Sequence, residues 1–294
     1  MTVYEAGLLK RNRATNAEME ARAQFLINYA ELHGPVTVRG LYYQAEVASI
    51  PGIGKSENDY DKIQSQVLKL RREGRLCYSH IADSTRYMRK PTTHDGIYAA
   101  LEQTARLYRK ALWADTDLQV EIWIEKSALA GVIYPVTSEY DVPLMPTGGY
   151  TSETFAFGAV DAMRGRGKTL VIYALYDFDR SGRDAANSLQ EKVERFGAEF
   201  NVPVIFNNLG LTLDQVQALN LPTREPKRGT TADRKWPHAF AAELDAIPPD
   251  ILREMVRGAI ERHLPADQLA HLKLVEAAER ETLIQFIGGG GHDE

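Results

Sequence analysis

Residues 169–186 read TLVIYALYDFDRSGRDAA, and this stretch decides the predicted fold. Its first half is an apolar run, which predicts a buried strand over residues 170–176. Two acids spaced by one residue, Asp177 and Asp179, come directly after that strand, and a helical pattern follows the turn at residues 180–182. Alternate residues of an extended segment face the same side, so both carboxylates can point into one site.

A second unit of the same kind lies upstream. The apolar strand predicted over residues 120–124 ends at Glu125, and a helical pattern follows it. Two further short strands alternate with helices, which is typical of repeated βα units. We therefore predict an α/β fold, with a parallel sheet and helices on both faces. Sites in such sheets lie at the carboxyl ends of the strands, where we expect Glu125, Asp177 and Asp179.

These three acids suit a magnesium ion. Mg²⁺ takes hard oxygen ligands and keeps positions open for phosphate oxygens, and it can stabilise the charge that develops on a phosphoryl group. Each acid also has an ordinary structural interpretation. Aspartates are favoured in turns, as before Arg180-Ser181-Gly182, and a glutamate such as Glu125 is favoured at a helix N-terminus. The placement of both groups at strand ends of one βα domain favours the metal interpretation.

The N-terminal region has the element order of a winged helix. Helices predicted over residues 15–32, 38–48 and 59–73 are followed by a short strand over 75–78 and a wing-like return over 81–86. The third helix would enter the major groove, so basic residues on it and after it are expected to contact DNA phosphates. A small helical domain with a charged outer face is the alternative. The expected phosphate contacts are Lys62, Lys69, Arg71, Arg72, Arg75 and Arg86.

These patterns divide the chain into five parts. We predict a winged-helix domain over residues 1–90, a connecting helix within 91–118, the βα domain over 119–210, a helical part over 211–287 and a flexible tail over 288–294.

Composition limits the class of protein. The chain has 294 residues, and it contains no apolar run near the roughly 20 residues needed to cross a bilayer. Cys77 is the only cysteine, which excludes a disulfide framework and a thiolate cluster, so we expect a cytoplasmic protein. Residues 1–110 hold 17 Lys and Arg against 12 Asp and Glu, whereas the remainder holds 18 against 28. A DNA-contacting module beside a metal-binding one would have this asymmetry.

Two motifs together resemble a known domain. Glu125-Lys126-Ser127-Ala128-Leu129 followed by Asp177-Phe178-Asp179-Arg180-Ser181-Gly182 is similar to the glutamate and Asp-x-Asp motifs of Toprim domains. Arg39-Gly40-Leu41-Tyr42-Tyr43 and Glu243-Leu244-Asp245-Ala246-Ile247 extend the resemblance to the A subunit of type IIB DNA topoisomerase (topoisomerase VI) and its meiotic double-strand-break relative. The likeness covers about residues 20–265. It departs at Gly40, where that family usually has an acid. It implies a winged helix before a Toprim domain, with Mg²⁺ held by the three acids.

The resemblance also makes Tyr43 a candidate nucleophile. A phenol with a pKa near 10 attacks weakly at neutral pH, and a nearby cation favours the phenolate. Arg39 lies four residues before Tyr43 and shares its helix face, so Arg39 is expected to assist. Attack on the DNA backbone would give a covalent phosphotyrosine. The alternative is that Tyr42 and Tyr43 are both core residues at helical spacing.

In the related enzymes, the tyrosine of one protomer works with the metal of the other. This implies a homodimer that acts on double-stranded DNA in the nucleoid, and it leaves a separate ATPase subunit open. Two other functions fit the motifs. One is a hydrolytic Toprim endonuclease of a mobile element or defence system, in which a metal-activated water replaces Tyr43. The other is a winged-helix DNA-binding protein without catalysis.

Overall fold

The computed structural model describes residues 15–82, 91–229 and 233–289. Arg86, in the predicted wing, and residues 290–294 of the predicted tail lie outside these ranges.

The N-terminal unit is a group of three helices that share one apolar core. Each helix begins after a hydroxyl side chain that accepts a hydrogen bond from a backbone N–H of the first turn; these caps are Thr15, Thr37 and Ser56. Apolar side chains from all three helices, such as Leu26, Leu41 and Ile63, are fully buried together. The helices are α1 (Asn16–His33), α2 (Val38–Val47) and α3 (Glu57–Arg72).

The strand predicted over residues 75–78 is wrong. A 3₁₀ helix spans Tyr78–His80 instead, and the described part of this segment makes one bridge, which is parallel, between Val36 and Ile81. Most of the predicted wing lies outside the described residues. What the structure describes of this region is therefore a three-helix unit, and the winged helix stays a prediction.

The central unit confirms the predicted α/β fold. Its four strands form one sheet in the order β2-β1-β3-β4, and all neighbouring pairs are parallel. The strands are β1 (Leu118–Ile124), β2 (Leu144–Pro146), β3 (Thr169–Leu175) and β4 (Val204–Gly210). The helices before and between them are α4 (Ile97–Leu107), α5 (Ser127–Glu139), α6 (Glu153–Asp161) and α7 (Arg180–Phe200).

The two central strands bury side chains on both faces of the sheet. On one face, residues such as Ile122 and Tyr173 join the core that contains α5 and the N-terminal helices. On the other face, Trp123 and Ile172 pack in a separate core with α6 and α7. Helices therefore cover both faces, as predicted, which explains why these strands are almost continuously apolar.

The remaining helices are α8 (Leu213–Ala218), α9 (Pro249–Glu261) and α10 (Ala266–Gly289). Helix α9 packs against α5 and β4, and α10 packs against α4. A 3₁₀ helix at Leu244–Ala246 lies before α9 and contacts α2. Among the described residues, none of these helices combines the length and apolar character needed to cross a membrane.

Candidate active site

Two of the predicted acids meet where the sheet reverses its strand order. Strand β1 connects forward to β2 on one side, whereas β3 connects to β4 on the other, so β1 and β3 flank a topological switch point. The backbone N–H of Glu125 bonds to the carbonyl of Leu175 at 2.9 Å, and the N–H of Asp177 bonds to Glu125 Oε2 at 3.0 Å. The structure therefore places Glu125 and Asp177 in direct contact, as the sequence predicts.

Asp179 is fixed by the start of α7. Its Oδ1 accepts the Gly182 N–H at 2.8 Å and so caps the helix. A Cβ atom on Gly182 would lie 2.4 Å from the carbonyl oxygen of Asp177, so only glycine allows the first turn of α7 to approach the Asp-Phe-Asp segment this closely. The turn residues of the motif therefore hold both aspartates at the strand end.

A segment from the C-terminal part lies alongside these acids. Phe178 pairs with Ala242, and Arg224 pairs with Ala241, each through two backbone hydrogen bonds of 2.9–3.0 Å. The N–H of Leu244 then bonds to Asp177 Oδ1 at 2.8 Å. This pairing brings two further acids, Glu243 and Asp245, to the site; both are buried.

Lys126 joins three of the acids. Its Nζ lies 3.0 Å from Asp177 Oδ2, 2.8 Å from Glu243 Oε2 and 2.9 Å from Asp245 Oδ2. Burial alone would lower the pKa of Lys126, but the charges of Asp245, Asp177 and Glu243 raise it above its usual value. Lys126 is therefore a permanent cation within the acid cluster.

Two arginines complete the network. Arg39 Nε donates to Glu243 Oε2 at 3.0 Å, and Arg224 Nη2 donates to Asp179 Oδ2 at 3.0 Å. Arg39 comes from α2, which is also tied to the cluster by the Thr37 hydroxyl, a donor to Asp245 Oδ1 at 2.6 Å. The N-terminal helices thus supply one wall of the site.

The pKa values of two acids move in opposite directions. Burial raises the pKa of Asp177 to about 6, although Lys126 opposes the shift. Burial would also raise the pKa of Glu243, but the charge of Lys126, its hydrogen bond, and then Arg39 and Arg224 lower it to about 2. Asp177 is therefore the less well compensated of these two carboxylates, and acids with shifted pKa values are frequent at functional sites.

These groups line a cavity of about 880 Å³. The same walls carry Tyr60, Gln64, Arg71 and Lys227, so basic and acidic side chains line one cavity. The volume is within the range of small-molecule sites.

The oxygen donors fit Mg²⁺ by type and charge, but their present partners occupy them. Among the described residues, no group of three or more acids, histidines or cysteines is arranged to hold a metal ion as it stands. Asp177 is bonded to Leu244 and Lys126, and Asp179 is bonded to Gly182 and Arg224. Three of the cavity's cations, Lys126, Arg39 and Arg224, are paired with these acids, so a divalent ion would have to replace some of the present contacts.

Tyr43 lies on α2, and its side chain is only 9% exposed. Burial, followed by the charge of Glu243, raises its pKa above 10, and the opposing charges of Arg39, Lys126 and Arg224 do not offset this. Arg39 favours the phenolate, as expected from the sequence, but burial and the charge of Glu243 outweigh it. The charges that act on Tyr43 are those of the acid cluster in its own chain, so the tyrosine lies beside that cluster.

The structure separates the basic residues expected to contact DNA. Arg71 lines the acid cavity, with its guanidinium 4.1 Å above the ring of Tyr78. Lys62, Lys69 and Arg75 instead line a second cavity of about 590 Å³ between α1 and α3, where each has an acid partner. Arg72 is exposed and lines neither cavity.

Sequence reasoning identified the three strand-end acids but missed the roles of Lys126, Arg224, Glu243 and Asp245. One signal was present, because Glu243-Leu244-Asp245 repeats the acid-x-acid spacing of the Asp-x-Asp motif. For Arg224 the sequence offered no comparable signal.

Comparison with known proteins leaves the family open. No protein-family model matches the sequence, and no curated protein is significantly similar to it. The functional argument therefore depends on the geometry of the site and on the motifs.

Proposed function

We propose that the protein cleaves double-stranded DNA in a magnesium-dependent reaction, as a homodimer, through attack of Tyr43 on a backbone phosphate. The observation that carries the proposal is the contact between Glu125 and Asp177 at the switch point of the sheet, in a cavity whose walls also carry basic side chains. Carboxylates at the ends of neighbouring parallel strands are suited to a metal that acts on phosphate, and the basic side chains are suited to the DNA backbone.

Each residue has a role in this reaction. Glu125, Asp177 and Asp179 would hold Mg²⁺, which supplies charge stabilisation to the phosphoryl group when bound. The Tyr43 oxygen would form a bond to phosphorus while the bond from phosphorus to a sugar oxygen breaks, and the proton lost by tyrosine is balanced by one gained on that oxygen. The phosphotyrosine conserves the bond energy and allows religation. Lys126, Arg39 and Arg224 hold the acids in place.

One observation favours a second candidate, which is hydrolysis. Tyr43 is buried and its pKa is raised, so it is a weaker nucleophile than a free phenol. A water that attacks at the same acids would give cleavage without a covalent intermediate, as in a hydrolytic Toprim endonuclease of a mobile element or defence system. The acid site and DNA substrate are common to both candidates, and only the nucleophile differs.

A cleavage assay separates the candidates. Supercoiled plasmid is incubated with the protein and Mg²⁺, denatured, and analysed with and without protease treatment. Transesterification predicts a protein–DNA adduct that Tyr43→Phe abolishes, whereas Tyr42→Phe, the matched control, retains it. Asp177→Ala should reduce cleavage by at least about 100-fold in either mechanism.

The outcomes are distinct. Cleavage that persists in Tyr43→Phe with no adduct supports hydrolysis and rejects the tyrosine mechanism. DNA binding without cleavage in any divalent ion, unaffected by loss of the three acids, would reject both and leave a DNA-binding protein.

A further inference from the structure

Two guanidinium groups in the acid cavity have unused donors. The Nε atoms of Arg71 and Arg224 are buried, and neither has a hydrogen-bond partner among the described residues. Glu243 Oε1 lies 3.5 Å from Arg224 Nε, but the two atoms are not aligned for a hydrogen bond. Both arginines line the same cavity but come from different parts of the chain. Buried donors without partners on cationic side chains are suited to an anionic ligand with several acceptor oxygens.

A phosphodiester fits these donors. Guanidinium groups bind phosphate through paired, planar N–H donors, and two arginines on one cavity can contact two oxygens of the same group. Lys227 adds a third positive charge to the cavity wall, and neither Arg71 nor Lys227 forms an ion pair with any of the five acids within the described residues. The positive charges of Arg71 and Lys227 are therefore not paired with the five acids and can be used by a ligand.

Arg224 differs from Arg71 because it already lies beside two acids, Asp179 and Glu243. It donates from Nη2 to Asp179 Oδ2 at 3.0 Å. The other oxygen of Asp179 is held by the N–H of Gly182, so this carboxylate stays in place at the start of α7 whether Arg224 is bound or not. If Arg224 turned to a phosphate, Asp179 Oδ2 would become available to a cation without movement of the backbone.

We propose that Arg224 exchanges Asp179 for a DNA phosphate, which Arg71 also binds, so that DNA and a divalent cation strengthen each other's binding. This inference rests on the proposed function, since it takes DNA and a divalent ion as the ligands of the site. Without DNA, the cation competes with Arg224 for Asp179. With DNA bound, the Arg224 charge is used on the phosphate and the acids are left with greater negative charge. Thermodynamic linkage makes the effect reciprocal.

The test measures binding and does not depend on cleavage. A short labelled duplex is titrated with the protein by fluorescence anisotropy at constant ionic strength, with and without Ca²⁺, a probe that takes the same hard oxygen ligands as Mg²⁺. Calorimetry then measures Ca²⁺ affinity with and without the duplex. We expect each ligand to tighten the binding of the other at least about fivefold. Added cations ordinarily weaken DNA binding by competing for phosphates, so the expected sign is opposite to a general salt effect.

The decisive variant is Arg224→Gln. It should bind Ca²⁺ more tightly than the wild type without DNA, because Asp179 has lost its competitor, and it should bind the duplex more weakly. The mutual effect of the two ligands should fall to less than about twofold. Arg195→Gln is the matched control, because Arg195 is an exposed arginine that also pairs with an acid, Glu153, outside the cavity. It should behave like the wild type.

Arg224→Lys keeps a positive charge at the position and guards against a folding defect in Arg224→Gln. It should bind DNA with intermediate affinity and keep part of the coupling. The proposal is overturned if wild-type Ca²⁺ and DNA binding are independent or antagonistic, if no Ca²⁺ binding occurs in either condition, or if both Arg224 variants show wild-type coupling. A protein that shows the coupling but never cleaves DNA would contradict the proposed function and leave this inference intact. Cleavage by a protein without the coupling would do the reverse.

Discussion

Charged side chains are brought together in two different ways in this molecule. At the carboxyl edge of the sheet, Lys126 pairs with acids that are distant in the sequence, and the cluster is largely buried. On α3, by contrast, Lys62 and Lys69 pair with acids three and four residues away on an exposed helix surface. Ion pairs between neighbouring residues of an exposed helix contribute little to stability. A buried cluster forms only when distant parts of the chain fold together, and its charges must be removed from water at a cost in free energy. This contrast is the reason why we place the proposed site at the sheet edge and not on α3.

We expect the largest difference in stability between the two regions when one lysine is replaced in each. Lys126→Met should lower the free energy of unfolding by about 3–5 kcal/mol, because it leaves buried carboxylates without their partner. Lys69→Met, the control on α3, should change it by less than about 1 kcal/mol, because Lys69 is exposed. Urea denaturation monitored by circular dichroism measures both. Equal losses for the two variants would remove the distinction between the regions.

The next largest difference is expected in how the stability of the folded protein depends on pH. The pKa of Glu243 is lowered from 4.5 to about 2 in the folded protein, so its contribution to stability is complete above pH 4.5 and is lost as the pH falls towards 2. Asp177 acts in the opposite sense, since its pKa is raised from 3.8 to about 6 and its ionisation over that interval disfavours the folded state. Glu243→Gln should be less stable than the wild type above pH 4.5, and the difference should shrink at lower pH.

Thermal unfolding of both proteins between pH 2 and pH 7 measures this difference. Glu73→Gln, which removes an exposed acid of the α3 region, is the control and should show a flat difference. A difference that grows as the pH falls would contradict the assigned shift of Glu243.

A smaller effect is expected from the backbone contact that positions the aspartates. Gly182→Ala should destabilise the protein by about 1–3 kcal/mol, because the new Cβ meets the Asp177 carbonyl. Gly158→Ala in α6 has open space around it and should instead stabilise the protein by about 0.5–1 kcal/mol. Chemical denaturation gives both values. A neutral Gly182→Ala would show that the start of α7 can shift without strain.

The smallest expected difference is in the DNA affinity of variants that lack one basic residue of α3. Arg71→Gln should weaken duplex binding, because Arg71 lines the acid cavity. The slope of log affinity against log salt concentration should fall by about 1, as expected for the loss of one phosphate contact. Lys69→Gln should have a lesser effect, since Lys69 faces the other cavity. Anisotropy titrations at several salt concentrations compare them. A larger effect at Lys69 would place the DNA at the second cavity, between α1 and α3.

The sheet and its acids could be predicted because their signals are local. An apolar strand followed by acids and a helical pattern predicts both the βα unit and the edge at which Glu125 and Asp177 meet. The strand at 75–78 was predicted from a local pattern too, but a strand also needs a partner to pair with, and the described residues provide one bridge at Val36 and Ile81.

The rest of the site depends on tertiary pairing that the sequence does not display. Glu243 reaches the aspartates only because Ala242 pairs with Phe178, and Arg224 only because it pairs with Ala241. The raised pKa of Tyr43 depends on burial and on the charge of Glu243, neither of which follows from the spacing of Arg39 and Tyr43 on a helix.

The pairing of Phe178 with Ala242 also bears on modularity. A fragment that ends after β4 would keep every strand of the sheet, yet it would lose the chain that bonds to the backbone of Phe178 and to the carboxylate of Asp177. Such a fragment should fold poorly or present a distorted acid edge. We therefore expect that grafting this βα unit into another protein would have to carry the residues around 224 and 243 with it.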